Sequence, residues 1–216
     1  MAEFKHFDLK LVEPIFNSPL TDLIIELDYL RKKPLGGTTH PMIFFQLKNI
    51  FHTLESIGSA RIEGNRTTLA EYIETKISQE EDIKDEKIIE IQNMEKAMEF
   101  IDTNIHTYPI NRMFLSELHK MVVVGLSPQK EGDQTPGEYR MKNVSITGAT
   151  HKPPDYTQVS TMMQELLDFI AFAHPSKYDL LKTAISHHRF VWVHPFGNGN
   201  GRTVRLFTYA MLEVIQ

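Results

Sequence analysis

Apolar residues recur at helical spacing through most of this chain, and this periodicity constrains the fold more than any other feature. Side chains three or four residues apart lie on one face of an α-helix, so each run predicts a helix with a buried face. Such runs cover about 41–63, 111–125, 159–170 and 178–193. Val144 and Ile146 alternate with Ser145 and Thr147, which predicts a short β-hairpin. We therefore expect an all-α fold with one short β-hairpin.

The composition is that of a soluble globular protein with one domain. One core can serve 216 residues, of which 41% are apolar and 24% charged. The absence of cysteine excludes disulfides, thiolate zinc sites and cysteine nucleophiles. A net charge of -5 argues against binding to nucleic acid. Because no long apolar run indicates a membrane span or a secretory signal, we expect a cytoplasmic protein that does not bind membranes.

The first long predicted helix has clear signals at its end. Gly64 can adopt the left-handed backbone that terminates a helix, which puts Glu63 at the helix end. Thr68 and Glu71 form the capping-box pattern that starts another helix. We divide the chain into an N-terminal helical segment, residues 1–80, and a core, residues 81–216, and expect the two to pack as one unit.

The densest group of unusual residues lies between two helical patterns, from His194 to Arg205. Glycines at positions 197, 199 and 201 allow a tight turn close to a ligand, and the helix that follows offers unpaired amide groups to an anion. Arg202 and Arg205 lie three residues apart, where both guanidinium groups can bind phosphate oxygens. His194 can accept a proton near neutral pH. The segment predicts a polyphosphate site beside a general base.

This segment resembles the signature of the Fic (filamentation induced by cAMP) family, His-Pro-Phe-x-Asp/Glu-Gly-Asn-Gly-Arg-x-x-Arg, at eight of nine fixed positions. The resemblance extends more loosely over residues from about 40 to 216. It implies a mainly helical Fic fold and a protein adenylyltransferase, which moves AMP from ATP to a Ser, Thr or Tyr hydroxyl of a target protein. His194 would be the catalytic general base. The residues that would hold the phosphates are Gly199, Asn200, Gly201, Arg202 and Arg205, with the two arginines on the distal ones.

One signature position departs from the family pattern. Asn198 stands where the family has the acid that binds the magnesium bridging the α- and β-phosphates. An amide oxygen can ligate magnesium but brings no negative charge, so we expect weaker Mg²⁺ binding or a dependence on Mn²⁺. Two other functions stay open: a nucleotide-binding regulatory pseudoenzyme, and transfer of another phosphate-linked group such as UMP, phosphate or phosphocholine.

The residues from Ser59 to Gly64 resemble the inhibitory motif of the same family, which reads Ser or Thr, three residues, Glu, and Gly or Asn. In family members of this kind the glutamate pairs with the second arginine of the signature and blocks productive placement of the γ-phosphate. The resemblance implies that Ser59 and Glu63 restrain the enzyme through Arg205.

The residues around the predicted hairpin resemble the family's flap. The flap begins at residues 136–140 and continues through Val144, Ser145 and Ile146. Its exposed strand edge would bind the backbone of the target protein by strand addition and present the target hydroxyl to His194.

The last predicted helix ends close to the end of the sequence. Its apolar face consists of Phe207, Ala210, Met211 and Val214, and no capping pattern follows before Gln216. Relatives that carry the inhibitory motif upstream often continue into further helices, so we expect a truncated C-terminus and incomplete cover for this face. A homodimer would supply that cover.

Overall fold

The computed structural model describes residues 4–34, 37, 38, 40–78, 85–146 and 148–215, and eight α-helices account for most of them. The helices are α1 (Pro19–Lys32), α2 (Pro41–Ile62), α3 (Leu69–Ser78), α4 (Glu86–Asn104), α5 (Arg112–Val123), α6 (Tyr156–Ala171), α7 (Asp179–Val193) and α8 (Asn200–Val214). A short 3₁₀ turn, Ser176–Tyr178, leads into α7. The predicted mainly helical fold is confirmed. Over the described ranges, no helix combines the length and hydropathy needed to span a lipid bilayer.

Helix α8 lies between two buried apolar clusters. On one side, Val204 and Phe207 pack with side chains of α6 and α7, including Phe190. On the other side, Leu206 and Ala210 pack with side chains of α4 and α5. Because α8 is held from both sides, its first turn is fixed in place, and that turn carries the predicted phosphate site.

The N-terminal segment is bound to the core by α2 and α3. Helix α2 packs on α4 and α8. Glu95 of α4 accepts hydrogen bonds from the hydroxyls of Thr53 in α2, at 2.5 Å, and Tyr72 in α3, at 2.6 Å. The predicted boundary between residues 80 and 81 lies outside the described residues, and the division into two units stays a prediction.

The helix ends around the inhibitory motif lie where the sequence predicts them. Helix α2 ends at Ile62, Glu63 is its C-terminal capping residue, and Gly64 follows with a φ of 100°. Glu71 Oε2 accepts a hydrogen bond from the Thr68 amide at 2.7 Å, and Thr68 Oγ accepts one from the Glu71 amide at 3.3 Å. The capping box at the start of α3 is therefore confirmed.

The described residues between α5 and α6 form no hairpin. No described residue lies in a strand, so the predicted hairpin is wrong; its residues are Val144, Ser145 and Ile146, with Thr147 outside the described residues. Asn143 anchors the segment to the start of α6 by donating a hydrogen bond to Asp155 at 2.8 Å. Alternating side chains favour extended backbone, but a strand forms only beside a partner strand, and here the segment is held to a helix instead.

The apolar face of α8 is better covered than expected. Phe207 and Ala210 are fully buried and Met211 is nearly so, whereas Val214 is 53% exposed. The two core clusters supply the cover for the first three residues. The expectation of an uncovered face is therefore wrong for all but Val214.

Candidate functional site

His194 lies where α7 ends and the backbone changes direction. Its φ and ψ of 53° and 65° are left-handed, and in the described part of the chain it is the one non-glycine residue with a positive φ. Its amide donates to the Phe190 carbonyl at 2.9 Å. This conformation costs a histidine about 1–2 kcal/mol, so surrounding contacts must hold it in place.

The loop after His194 is closed by the side chain of Asn200. The Phe196 amide donates to Asn200 Oδ1, and Asn200 Nδ2 donates to the Phe196 carbonyl, each at 2.9 Å. Asn200 is 4% exposed, so its side chain faces the protein interior. Asn200 can therefore offer a phosphate only its backbone N–H.

The start of α8 is open to an anion. Gly199 precedes it with a φ of 68°, and no side chain caps the helix. The first amide groups of an α-helix lack intrahelical partners, so those of Asn200, Gly201 and Arg202 are available for an anion. A Cβ on Gly199 would come within 2.9 Å of Val123, and the positive φ also disfavours any other residue.

Glu63 occupies the space in front of this helix start. A Cβ on Gly201 would collide with Glu63 Oε1, and Arg205 Nη2 donates to the same oxygen at 2.7 Å. Arg205 Nε donates to Ser59 Oγ at 2.7 Å, and Nη2 donates to the Ser59 carbonyl at 3.2 Å. Ser59 and Glu63, four residues apart, thus face Arg205 together. A carboxylate lies where the helix start would bind an anion.

Arg202 is buried in a different set of contacts. Its side chain is 1% exposed, and Nη1 lies 2.9 Å from Glu90 Oε1. Its Nη2 donates to the carboxylate of Glu131 at 2.8 Å and to the Glu131 carbonyl at 2.7 Å. Burial raises the pKa of Glu90, and the charge of Arg202 opposes that rise. The phosphate contact of Arg202 stays a prediction, since its guanidinium here joins α8 to α4 and to the loop after α5.

The side-chain amide of Asn198 is engaged at both ends, by a neighbouring loop and by the next residue of its own loop. Nδ2 donates to the Lys130 carbonyl at 2.7 Å, and Oδ1 accepts from the Gly199 amide at 2.7 Å. The backbone N–H of Asn198 donates to Asp133 Oδ2 at 2.8 Å. The other oxygen of that carboxylate, Oδ1, accepts from the backbone N–H of Thr135 at 2.9 Å. In the described residues, no group of three or more His, Asp and Glu side chains could hold a metal ion. The magnesium site at Asn198 stays a prediction, since the side-chain oxygen of Asn198 is here engaged by the Gly199 amide.

The surroundings of His194 favour its neutral imidazole. Burial and, second to it, the charge of Arg140 lower the pKa of His194 to about 4. Nδ1 makes no hydrogen bond of normal geometry with the described residues, although the Val191 carbonyl is close enough to favour the protonated form. The lowered pKa favours a neutral ring with one bare nitrogen and makes that nitrogen a weaker base than a free imidazole.

His119 joins the signature loop to the segment after α5. Its ring stacks on Phe196 with centroids 3.8 Å apart and planes 1° apart. Nδ1 accepts from the Gly137 amide at 2.8 Å, and Nε2 lies 3.1 Å from the Asn198 carbonyl. Since an amide N–H can only donate and a carbonyl can only accept, Nδ1 is bare and Nε2 carries the hydrogen.

His119 predicts that stability falls in mild acid. Burial lowers its pKa from the ordinary 6.5 to about 4. Between pH 6.5 and pH 4 the unfolded chain takes up a proton at His119 that the folded chain does not. The contribution of His119 to the free energy of unfolding is therefore complete above about pH 6.5 and is lost as the pH falls. From pH 7 to pH 5 the loss is about 2 kcal/mol. Urea denaturation at pH 7 and pH 5 measures the loss in free energy of unfolding, which should be smaller for His119→Gln than for wild type. Equal losses in the two proteins would show that His119 is not the source of the acid sensitivity.

The structure brings part of the predicted site together. Ser59, Glu63 and Arg205 are in direct contact, and Glu63 lies against Gly201 at the helix start. The side chains of Arg202, Asn198 and Asn200 serve other contacts, as described above. Sequence patterns indicated no role for Glu90, His119, Glu131 and Asp133, and they placed Arg140 only at the start of the predicted flap. A buried polar residue within an apolar helical face, as for His119 in α5, is the one signal that could have found any of them.

Comparison with known proteins identifies the domain. Residues 109–212 match the family model described as Fic/DOC family. The protein adenylyltransferase Fic of Drosophila willistoni is 33% identical over 170 residues, and that of Drosophila melanogaster is 32% identical over 166. Both alignments cover 74% of this chain but 31% and 32% of the relatives, so the chain spans about a third of their length.

Solved Fic structures share the fold. A Fic family protein from Desulfovibrio desulfuricans G20 has a TM-score of 0.71 and 23% identity, covering 97% of this chain and 60% of that one. Residues 134–508 of Fic-1 from C. elegans give a TM-score of 0.69 and 21% identity, covering 90% and 59%. Residues 109–212 therefore carry a domain of the Fic/DOC family.

Proposed function

We propose that this protein transfers AMP from ATP to a hydroxyl of a target protein, and that Glu63 restrains the transfer. The observation that carries the proposal is the ion pair of Glu63 and Arg205 in front of the α8 start, one short loop from the neutral His194. An anion site, a base and a carboxylate that blocks the anion site suit a regulated phosphoryl transfer. The names of the Drosophila relatives support AMP as the group transferred.

The start of α8 would hold the phosphates of ATP. Its free amide groups and the positive end of the helix favour an anion at Gly201. Arg205 is 22% exposed, so a ligand can reach its guanidinium. Once Glu63 withdraws, Arg205 would bind a distal phosphate oxygen in place of the carboxylate.

His194 would accept the proton of the attacking hydroxyl. As the hydroxyl oxygen bonds to the α-phosphorus, the bond from that phosphorus to the oxygen bridging the α- and β-phosphates breaks. Pyrophosphate leaves with the bonding electrons, and the proton remains on the imidazole until solvent takes it. Such a displacement depends mainly on positioning and charge stabilisation.

Glu63 would restrain this reaction in two ways. Its negative oxygen lies at the anion site, where it repels a phosphate, and it engages the guanidinium that a distal phosphate would use. Because the two side chains are 29% and 22% exposed, their pair contributes about 1 kcal/mol or less to stability. A modest binding event elsewhere on α2 would therefore suffice to release Glu63.

The segment between α5 and α6 would bind the target protein. Val144, Ser145 and Ile146 lie outside any helix or strand, so their backbone groups can pair with a strand of the target. That strand would supply the partner that the segment lacks. Main-chain pairing makes few demands on target side chains.

A second function, a nucleotide-binding regulatory protein without transfer, is favoured by Asn198. Its amide is already engaged by Lys130 and Gly199, and it brings no charge for Mg²⁺ or Mn²⁺. We assign no step of the transfer to a metal. ATP binding without transfer after Glu63 is removed would select this second function.

Replacing Asn198 by aspartate should weaken the contact of residue 198 with the Lys130 loop and should make ATP affinity depend more strongly on magnesium. The new carboxylate would face the Lys130 carbonyl and lie near Asp133, so we expect a loss of about 1–3 kcal/mol of stability. ATP affinity, measured by calorimetry with magnesium or EDTA, should depend more on magnesium in Asn198→Asp than in wild type.

Asn104→Asp is the matched control for this change. Its Nδ2 also donates to a backbone carbonyl, that of Phe100 at 2.8 Å, at the end of α4. Asn104→Asp should lose stability without any change in magnesium dependence. An equal magnesium response in both aspartate variants would contradict the account of Asn198.

The test of the proposed function compares ATP labelled at the α-phosphate with ATP labelled at the γ-phosphate. The Glu63→Gly protein and its His194→Ala form are each incubated with both labels in a cell lysate, and the labelling by Glu63→Gly in excess of the His194→Ala form should come from the α-position and not from the γ-position. Label from both positions would indicate transfer of a longer phosphate chain, and label from the γ-position alone would indicate phosphate transfer. Either result would replace AMP as the transferred group.

A further inference from the structure

Arg140 is a buried cation whose guanidinium binds backbone carbonyls from three segments. It is 3% exposed. Nε donates to the His194 carbonyl at 2.9 Å, and Nη1 donates to the Lys142 carbonyl at 3.0 Å. Nη2 donates to the Pro154 carbonyl at 2.7 Å and, more weakly, to the Val193 carbonyl at 3.4 Å. One side chain thus joins the end of α7 to the interior and to the C-terminal end of the segment between α5 and α6.

The backbone of Arg140 strengthens the same junction. Its amide donates to the Pro195 carbonyl at 2.8 Å, so residue 140 binds three consecutive carbonyls, those of residues 193–195. Carbonyls at a helix end carry partial negative charge and favour a cation. Asp155 is close enough to favour the charged guanidinium, but its carboxylate is engaged in capping α6.

These bonds act on the most constrained backbone position of the site. The left-handed conformation of His194 turns its carbonyl out of the α7 axis, and Arg140 Nε binds that carbonyl. Histidine adopts left-handed backbone more often than most residues but still at a cost, and this bond offsets that cost. A change in φ or ψ at this residue would swing the imidazole away from the α8 start.

We propose that Arg140 is a positioning residue for His194, which holds the left-handed backbone at the end of α7 and thereby the direction in which the imidazole meets the attacking hydroxyl. The part that concerns the reaction rests on the proposed role of His194 as the base. Arg140 itself touches neither substrate nor reacting atoms.

Arg140 also sets the electrostatic surroundings of the imidazole. The charges of Arg140 and His151 oppose protonation of His194, and the Val191 carbonyl and Glu63 favour it. Removing the charge of Arg140 therefore shifts the pKa of His194 upward, whereas a lysine at this position keeps a charge but cannot reproduce the forked hydrogen bonds.

The glutamine and lysine variants of Arg140 therefore separate the effect of its charge from the effect of its hydrogen bonds. Arg140→Gln and Arg140→Lys are made in wild type, for a side-chain NMR titration of His194, and in Glu63→Gly, for AMP-transfer kinetics. Arg140→Gln should raise the pKa of His194, and Arg140→Lys should leave that pKa nearly unchanged. Both should lower kcat by about 100-fold with little change in the KM for ATP.

Arg31→Gln is the matched control, because Arg31 binds Asp179 and the Ser176 carbonyl at the opposite end of α7. It should change neither the pKa of His194 nor kcat. Full kcat in Arg140→Lys, or an unchanged pKa in folded Arg140→Gln, would overturn the inference. Unfolding of both variants would also overturn it, since Arg140 would then be purely structural. If Glu63→Gly itself transfers no AMP, the proposed function fails, and the titration still tests the hold of Arg140 on His194.

Discussion

Replacing Glu63 by glycine should raise AMP transfer by about 10- to 100-fold, the usual range of coupling between a regulatory contact and a site. The change removes the carboxylate from the front of the α8 start and leaves Arg205 to bind a distal phosphate. Glu63 caps α2 with φ and ψ of -81° and 3°, a conformation that glycine also adopts, so the helix should persist. Protein-bound label from α-labelled ATP, followed over time, measures the rate.

Two variants make this result specific to the carboxylate at the anion site. Glu63→Gln keeps the size of the side chain without its charge and should fall between wild type and Glu63→Gly. Glu55→Gln removes an exposed carboxylate two turns earlier on α2 and should transfer at the wild-type rate. A Glu63→Gly protein that binds ATP but is no faster than wild type would refute the inhibitory role of Glu63.

Replacing His194 by alanine in the Glu63→Gly protein should lower the transfer rate by about 10²- to 10⁴-fold, the contribution of a positioned general base. ATP affinity should stay nearly unchanged, because the amide groups of the α8 start and Arg205 remain. The measurement is kcat from α-label incorporation beside a calorimetric Kd for ATP.

The controls for His194 separate chemistry from folding. His194→Asn should be as inactive as the alanine variant, yet asparagine tolerates left-handed backbone, so α7 should end normally. His188→Ala changes an exposed histidine on the same helix and should keep full activity. Transfer that survives in both His194 variants would exclude His194 as the base.

The contacts of the inhibitory motif could be predicted because they depend on local signals. Gly64 ends α2, which fixes Glu63 at the helix terminus, and the spacing of four residues puts Ser59 on the same face. The resemblance then named Arg205 as the partner, and the structure has both contacts to it.

The fate of Arg202 and Asn198 could not be predicted, because their partners are distant in sequence. Glu90 belongs to the helical pattern of α4, and nothing near it indicates a buried arginine more than a hundred residues away. Lys130 contributes to Asn198 only a backbone carbonyl, which every residue has. Sequence patterns report local periodicity, whereas these contacts depend on how α4, α5 and α8 pack.

The predicted hairpin failed for a related reason. Alternation at Val144 and Ile146 reports a preference for extended backbone, but strand formation also needs a partner that the sequence does not specify. Arg140 instead donates to the Lys142 carbonyl, and Asn143 donates to Asp155 at the start of α6. These two contacts hold the segment in place.

The most direct test of regulated AMP transfer measures three proteins side by side with α-labelled ATP: wild type, Glu63→Gly, and Glu63→Gly with His194→Ala. The account predicts strong protein labelling by Glu63→Gly, weak labelling by wild type and almost none by the double variant. Equal labelling by all three, or no labelling by any of them while calorimetry shows ATP binding, would contradict it.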